Sequence, residues 1–314
     1  MDGTRIDWAD STWNLVTGCL HGCGYCYARK IAQRFGVRDN ETLCLQDGRL
    51  YELGKHYAII EHNGQKVYWL YERAYALQAD IESGRFEIRA CPYPFGFAPT
   101  FHRYRLREYA NKKRGREIFV CSMADIFGDF IPMDIIRAVF TVCQQSLQHR
   151  YLFLTKNIER YRELHPAETW PGTSIPIVWP DNAWAGFSAT DQEDLEAVAL
   201  DSQWLPKQCF VSIEPIHGPV DLSQVEVKGR GAFINLLTGD RSWMFGGDQA
   251  GAKLKWVIVG AETGNRVGKV IPEREWIMSI KRQCQKAGVS LWMKESLREL
   301  MGEDFSQDKP CWNG

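Results

Sequence analysis

Seven apolar runs of strand length, separated by helix-patterned segments or turn-rich connections, constrain this chain more than any other feature. The first covers residues 12–18. REIFVCS (116–122), RYLFLTK (150–156), NAWAGFS (182–188), QCFVSIE (208–214), KWVIVGAE (255–262) and VSLWMKE (289–295) follow it. They are apolar and β-branched without a polar alternation, the pattern of strands covered on both faces in a parallel sheet. Between them CYARKIAQRFG predicts a helix ending at Gly36, and PMDIIRAVFTVCQQS predicts one starting with Pro132. NIERYRELH, DQEDLEAVALDSQW and PEREWIMSIKRQCQKAG supply further helical patterns. This alternation predicts an α/β chain built as a full or partial (β/α) TIM-type barrel. At 314 residues with 45% hydrophobic content, the expectation is a single domain over 1–314.

Two stretches interrupt the alternation. From 40 to 105 short aromatic pieces (HYAII, KVYWLYERAY, FEIRA) are divided by Asn-Gly, Ser-Gly and Pro-rich turns, which predicts an inserted aromatic-rich subdomain, partly hairpin. Its Tyr57, Tyr68, Trp69, Tyr71, Phe95, Phe97 and Phe101 could stack on bases or form the core of a lid. Residues 215–253, with GPVDLS, KGRG and FGGDQAGAK, read as a loop or hairpin insertion.

In a parallel barrel the site lies where the strands end, so the residue closing each apolar run is informative. Those residues are polar: Ser122 and Asp125, Thr155 and Lys156, Ser188, Glu214, Glu262, and Lys294 with Glu295. Helix capping accounts for Thr155 and offers a second reading of Ser188. It does not account for Lys156, Glu214, Glu262 and Lys294, because lysine does not cap a helix N-terminus and such charges are seldom buried without partners. The run that opens the series is followed by TGCLHGCGYCYAR, in which Cys19, Cys23 and Cys26 stand in C-x3-C-x2-C spacing. Three closely spaced thiolates can hold three irons of a [4Fe–4S] cluster and leave the fourth open to a reacting ligand. A zinc site using the same cysteines and His21 is the competing metal reading, although structural zinc usually shows two separated ligand pairs. Tyr25 could pack against a bound cofactor or belong to the core.

Charge and cysteine usage narrow the setting. The formal net charge is -1, from 38 basic and 39 acidic residues, so a polyanion would have to be met by a local patch. Residues 103–116, RYRLREYANKKRGR, hold seven basic residues with Tyr104 and Tyr109 interleaved. That composition suits phosphate contacts and base stacking, and it equally suits a solvated helix and turn. The first residues lack the basic and apolar regions of a leader, and no stretch approaches 18 consecutive apolar residues, so a soluble protein with no membrane association is expected. Cysteines outside the trio (Cys44, Cys91, Cys121, Cys143, Cys209, Cys284, Cys311) show no framework spacing, which predicts a reducing, cytoplasmic location.

C-x3-C-x-Φ-C after a first strand, with Tyr25 at Φ, resembles the signature of the radical S-adenosylmethionine superfamily. More closely, IDWADSTWNLVTGC, GCGYCYA, FVCSMADIF, YLFLTK, WAGFSATDQ, FVSIEPIHGPVDL and WVIVGAETG resemble a phage and mobile-element family of radical-SAM-like proteins without an assigned function. These segments run from residue 6 to about 295. Many members of that family have a longer gap between the first two cysteines, whereas this chain has the three-residue gap usual in the superfamily. GCLHGCGYCYAR also resembles, locally, the cysteine loop of spore photoproduct lyases, which split a thymine dimer in DNA.

The resemblance implies a radical SAM core in which Cys19, Cys23 and Cys26 hold a [4Fe–4S] cluster and S-adenosylmethionine occupies the open iron. Its cleavage would give a 5′-deoxyadenosyl radical that abstracts hydrogen from a substrate. Ser122 and Asp125 would then receive the methionyl amino group, Ser188 the ribose or carboxylate, and Val259, Gly260 and Glu262 the adenine side, with Tyr25 against the cofactor. Lys156, Glu214 and Lys294 would face the substrate. Cys121 would return a hydrogen atom as in the lyases, or else it is a small buried hydrophobe on a strand. The implied activity is repair or modification of a nucleic-acid base or nucleotide, with nucleic acid bound through Arg103–Arg116 and electrons supplied by a donor such as flavodoxin or ferredoxin. A radical enzyme for a small metabolite or peptide, and a non-enzymatic zinc or nucleic-acid-binding module, are the alternatives.

Overall fold

The computed structural model describes residues 4, 6–80, 85–164, 177–243 and 253–311. The chain divides into two compact units, Ser11–His149 and a second made of Met1–Asp10 with Arg150–Gly314.

In Ser11–His149, strands Ser11–Trp13 (β1) and Glu117–Val120 (β2) pair in parallel, with Trp13 opposite Val120. The first apolar run is shorter than its pattern because the chain turns after Asn14, and Val16–Thr17 pairs antiparallel with Thr100–His102 in a different sheet. Helix Tyr27–Phe35 (α1) begins after Cys26 and ends at Gly36. Helix Met133–Gln144 (α2) has Pro132 at its N-cap and buries Ile135, Ile136, Val139, Phe140 and Cys143, the stripe expected of a helix lying on a core. The aromatic stretch forms a mixed sheet, in which Gln65–Leu70 runs parallel to Thr100–His102, and a second sheet that is antiparallel throughout. One orders Val16–Thr17, Thr100–His102, Gln65–Leu70 and Tyr57–His62; the other orders Glu41–Cys44, Tyr75–Asp80 and Arg85–Ala90. Asn63 and Gly64, both at positive φ (49° and 70°), make the tight turn that the Asn-Gly pair predicts. Tyr68 stacks on Phe95 at 3.9 Å between ring centres, Tyr57 meets Phe95 at 4.9 Å, and Trp69 meets Phe101 edge-on at 5.1 Å. These rings therefore pack on one another inside the unit.

The second unit carries five parallel strands in chain order: Arg150–Thr155 (β3), Ala183–Ala189 (β4), Cys209–Ile213 (β5), Trp256–Val259 (β6) and Ser290–Met293 (β7). Its helices are Arg160–Glu163 (α3), Gln192–Val198 (α4), Arg274–Ala287 (α5) and Arg298–Met301 (α6). Asp191 caps α4 by accepting from the Asp194 amide, and Gly288 ends α5 in the left-handed conformation. The core is closely fitted. A Cβ on Gly186 would fall 2.3 Å from the Phe210 ring of the neighbouring strand, and Trp8, Phe210 and Trp256 pack with ring centres 5.8–6.1 Å apart.

The expected TIM-type barrel, full or partial, is not what the chain builds. All seven apolar runs do form parallel strands, but the outer edge of β7 is taken by the C-terminal segment. Met293 donates to the Ser306 carbonyl (2.9 Å), Asp308 donates to the Leu291 carbonyl (2.8 Å), and Trp292 bridges antiparallel to Gln307. A strand whose edge is already hydrogen-bonded to an antiparallel neighbour cannot close a parallel barrel. The helical layer is also incomplete. Only α2 and α5 among the described helices exceed nine residues, and between β5 and β6 stands a three-stranded antiparallel sheet (Val225–Val227, Ala232–Ile234, Arg241–Trp243). The FGGDQAGAK segment expected to belong to that insertion lies, except for Lys253, outside the described residues. The fold is mixed α/β, with seven parallel strands and three small sheets, two antiparallel and one mixed.

Candidate functional site

The cysteine loop spans the gap between Thr17 and α1, and its ends are fastened while its sulfurs are not. Gly18 donates to the Met123 carbonyl (3.1 Å) and Cys19 to the Phe97 carbonyl (3.2 Å). Only glycine fits at 18: its φ is +84°, and an added Cβ would sit 2.2 Å from the Ala98 carbonyl oxygen. On the far side Tyr27 donates its hydroxyl to the Ser122 carbonyl at 2.6 Å, and Ala28 and Ala32 pack with Tyr93 and Met123. In the middle His21 Nε2 meets Asp125 Oδ2 at 2.7 Å, and the imidazole lies edge-on to Phe130. The loop is thus laced to the segment that follows β2.

All three cysteines are partly exposed, and none is in a disulfide. Cys26 is the N-cap of α1, where its sulfur accepts from the Arg29 amide at 3.4 Å. Burial pushes the Cys19 thiol up to about 11, and Asp125, Cys23 and Cys26 lie close enough to add to that rise. Gly22 and Gly24 have open space where a Cβ would stand, while His21 between the first two cysteines is held by Asp125. Among the described residues no three His, Cys, Asp or Glu side chains already stand at metal-holding distance. The donors fit a thiolate-ligated group by chemistry and exposure, and the loop would have to draw its sulfurs together around one.

The residues after β2 take specific places. Asp125 is buried; one carboxylate oxygen holds His21 and the other accepts from the Phe127 amide (3.0 Å). Ser122 donates to Asn14 Oδ1 at 3.1 Å, just past the end of β1. Cys121 turns the chain at φ +60°, a conformation that costs a non-glycine residue about 1–2 kcal/mol. Its side chain is buried and its thiol is pushed up to about 12, chiefly by burial. Tyr25 is half-buried on the turn before α1.

In the second unit the strand-end residues gather into paired charges. Glu214, after β5, is ion-paired with Lys294, after β7. Gly260 makes room for that pairing, since a Cβ there would come 2.9 Å from Lys294 Cδ. Val259 is buried in β6, and its carbonyl accepts from the Lys294 amide (2.9 Å). Glu262 is chelated by Arg266 through Nε (2.6 Å) and Nη2 (2.7 Å), which holds its carboxyl below the usual range. Ser188 lies half-buried in β4 opposite Ser212, and Lys156 is half-buried just past β3.

The basic segment 103–116 divides by role. Tyr109 is fully buried, donating to the Thr12 carbonyl (3.0 Å) and meeting Trp13 edge-on, and Tyr104 packs with the aromatic core. Arg105 donates to the Asn14 carbonyl (2.7 Å) and Arg116 to Ser11 Oγ (3.1 Å). Arg103, Arg107, Lys113 and Arg114 remain exposed.

A family model spans these elements from end to end. The chain belongs to the family described as Protein of unknown function (DUF5131), matched over residues 3–299. No curated protein and no solved structure matches it. The cysteine loop and every strand-end residue described here fall inside the matched span.

Sequence reasoning weighed His21 only as a zinc ligand and overlooked Asn14, Tyr27 and Arg266. Asn14 was legible as the polar residue that ends β1. The His21–Asp125 contact joins residues 104 positions apart and had no sequence signal.

Proposed function

We propose that the protein is a radical S-adenosylmethionine enzyme acting on a nucleic-acid base or nucleotide. One observation carries this reading: a C-x3-C-x2-C loop with partly exposed thiols, fastened at both flanks and placed between a strand and a helix N-terminus. Cys19, Cys23 and Cys26 would hold a [4Fe–4S] cluster. Such a cluster supplies reductive cleavage of S-adenosylmethionine and hence a carbon radical able to remove hydrogen from an unactivated C–H bond. The chain's own contribution is placement. His21, Asp125 and Tyr27 orient the loop, and α1 offers its N-terminal amides to the Cys26 thiolate.

Asp125 already spends both oxygens on His21 and Phe127, so Ser122 is the better candidate for the methionyl amino group. The nucleic-acid part rests on Arg103, Arg107, Lys113 and Arg114, which can contact phosphates. Base stacking on Tyr109 is excluded by its burial. All ten cysteines are free, which suits a reducing cytoplasm and an external donor of the flavodoxin or ferredoxin kind. No helix among the described residues is long and apolar enough to cross a membrane.

The test is anaerobic reconstitution with iron and sulfide, followed by dithionite and S-adenosylmethionine. About four irons per chain and release of 5′-deoxyadenosine are expected. A fully reconstituted protein that forms no 5′-deoxyadenosine defeats the radical reading. Deuterium from labelled nucleic acid should appear in that product; its absence, with cleavage intact, removes only the substrate class.

A further inference from the structure

The antiparallel sheet between β5 and β6 buries a positive charge. Arg241 stands directly opposite Ile234, which stands opposite Val225 on the third strand. Opposed residues of antiparallel strands point to one face, so the Arg241 side chain shares its face with Val225, Val227, Ala232 and Ile234, all buried. Glu226, Phe233 and Ser242 alternate to the exposed face. Arg241 itself is only 8% exposed. Its Nε and Nη2 are shielded from solvent, and neither has a hydrogen-bond partner among the described residues. The adjacent Asp240 gives its carboxylate to the Thr238 hydroxyl at 2.6 Å. Burial alone holds the Arg241 pKa below the usual arginine value.

A buried lysine or histidine could escape this situation by losing its proton, but a guanidinium cannot within the stable range of a protein. An unpaired buried charge is strongly unfavourable, and the remedy open to arginine is an anion. The geometry of the unsatisfied atoms says which kind. Nε and Nη2 form one edge of the planar guanidinium, spaced to donate two parallel hydrogen bonds to two oxygens of a single group. One isolated cation is neutralised by one negative charge, whereas a dianion would leave a buried excess of the opposite sign. Arg241–Trp243 is also an outer strand of its sheet, so local opening there exposes the edge without dismantling the parallel strands.

We propose that Arg241 anchors a binding site for a singly charged oxyanion, a carboxylate or phosphodiester group, held on its Nε–Nη2 edge. The site belongs to the sheet inserted between β5 and β6 and does not depend on the cysteine loop.

The full chain is melted in sodium formate, sodium dimethyl phosphate and sodium chloride at equal ionic strength. Arginine Nε resonances are followed in ¹⁵N-labelled protein through the same titrations. Formate or dimethyl phosphate should raise Tm by several degrees over chloride and shift one Nε resonance, the one missing from Arg241→Met. A response to formate alone assigns a carboxylate site, and one to dimethyl phosphate alone assigns a phosphodiester site. Arg241→Lys keeps the charge but loses the two-donor edge and should bind the effective anion about tenfold more weakly. No anion-specific rise in the wild-type protein overturns the proposal, as does an equal rise in Arg241→Met. If Arg241→Met does not fold, a wild-type response matched in full by Arg241→Lys overturns it instead.

Discussion

The cysteine loop and the Glu214–Lys294 region are both built from polar residues at the ends of parallel strands, yet they are in opposite chemical states. Around the cysteines it is the scaffold that is fastened, by Gly18, Cys19, His21 and Tyr27, while the cysteines themselves stay partly exposed and outside any disulfide. Around Glu214 the charged groups themselves are satisfied, because Lys294 pairs with Glu214 and Arg266 chelates Glu262. A polar residue at a strand end therefore marks a site only when its bonding capacity is unspent. Three of the four strand-end charges are spent in this sense. Glu214, Lys294 and Glu262 have structural work within their own unit, so they compete poorly as substrate contacts.

The largest expected effect breaks the comparison at the cysteines. Replacing Cys19, Cys23 and Cys26 together with alanine should lower iron uptake on reconstitution from about four per chain to background. The melting temperature should move little. Glu214→Gln with Lys294→Met should leave iron uptake intact. If the alanine variant still assembles a full cluster, the loop is not the ligand set and the contrast is lost.

Next come two glycines that differ in what they face. Gly18→Ala must adopt φ +84° and push against the Ala98 and Phe97 carbonyl oxygens, so a loss of about 3 kcal/mol is expected in urea denaturation. Gly260→Ala meets the Lys294 side chain first, whose Cδ can turn away while its Cβ at 3.3 Å cannot, and should cost about 1–2 kcal/mol. Equal costs would show that the two regions are equally rigid. Smaller again is the coupling between Glu214 and Lys294, whose side chains are 28% and 20% exposed. A double-mutant cycle with Glu214→Gln and Lys294→Met should give about 1 kcal/mol.

Mild acid should separate the two units as well. His102 is buried between Thr17 and Tyr104, and burial holds its pKa well below that of free histidine. The unfolded chain takes up this proton as pH falls below about 6.5 while the folded chain does not, so the Ser11–His149 unit loses stability from there downward. Glu262 has a depressed carboxyl pKa. Its contribution is present above about 4.3 and is lost only as pH falls through the lower folded value. Hydrogen-exchange protection factors, each corrected for the intrinsic rate at its pH, should therefore fall first in Ser11–His149 between pH 7 and pH 5, and His102→Gln should flatten that dependence. A uniform fall in both units would contradict it.

Much of the local structure was readable in advance. The apolar runs, Pro132 before α2, Gly36 after α1 and the Asn63–Gly64 turn all express short-range preferences that act within a few residues. The barrel was a misreading of this same local information. Alternation specifies parallel strands, but closure depends on what occupies the edge of β7, and residues 306–308 take that place. Tyr104 and Tyr109 were misleading for a related reason. Their neighbours in sequence are basic, but their neighbours in space are His102, Trp13 and the Thr12 carbonyl.

By itself the sequence determined where strands and helices form, where the three cysteines lie relative to them, and which charges end the strands. Those properties follow from periodicity, capping and spacing along the chain. Only the tertiary structure decided that Asp125 holds His21, that Lys294 is paired with Glu214, and that Arg241 is buried with its bidentate edge unsatisfied among the described residues. The first two are relations between residues 104 and 80 positions apart, and they are set when the chain folds.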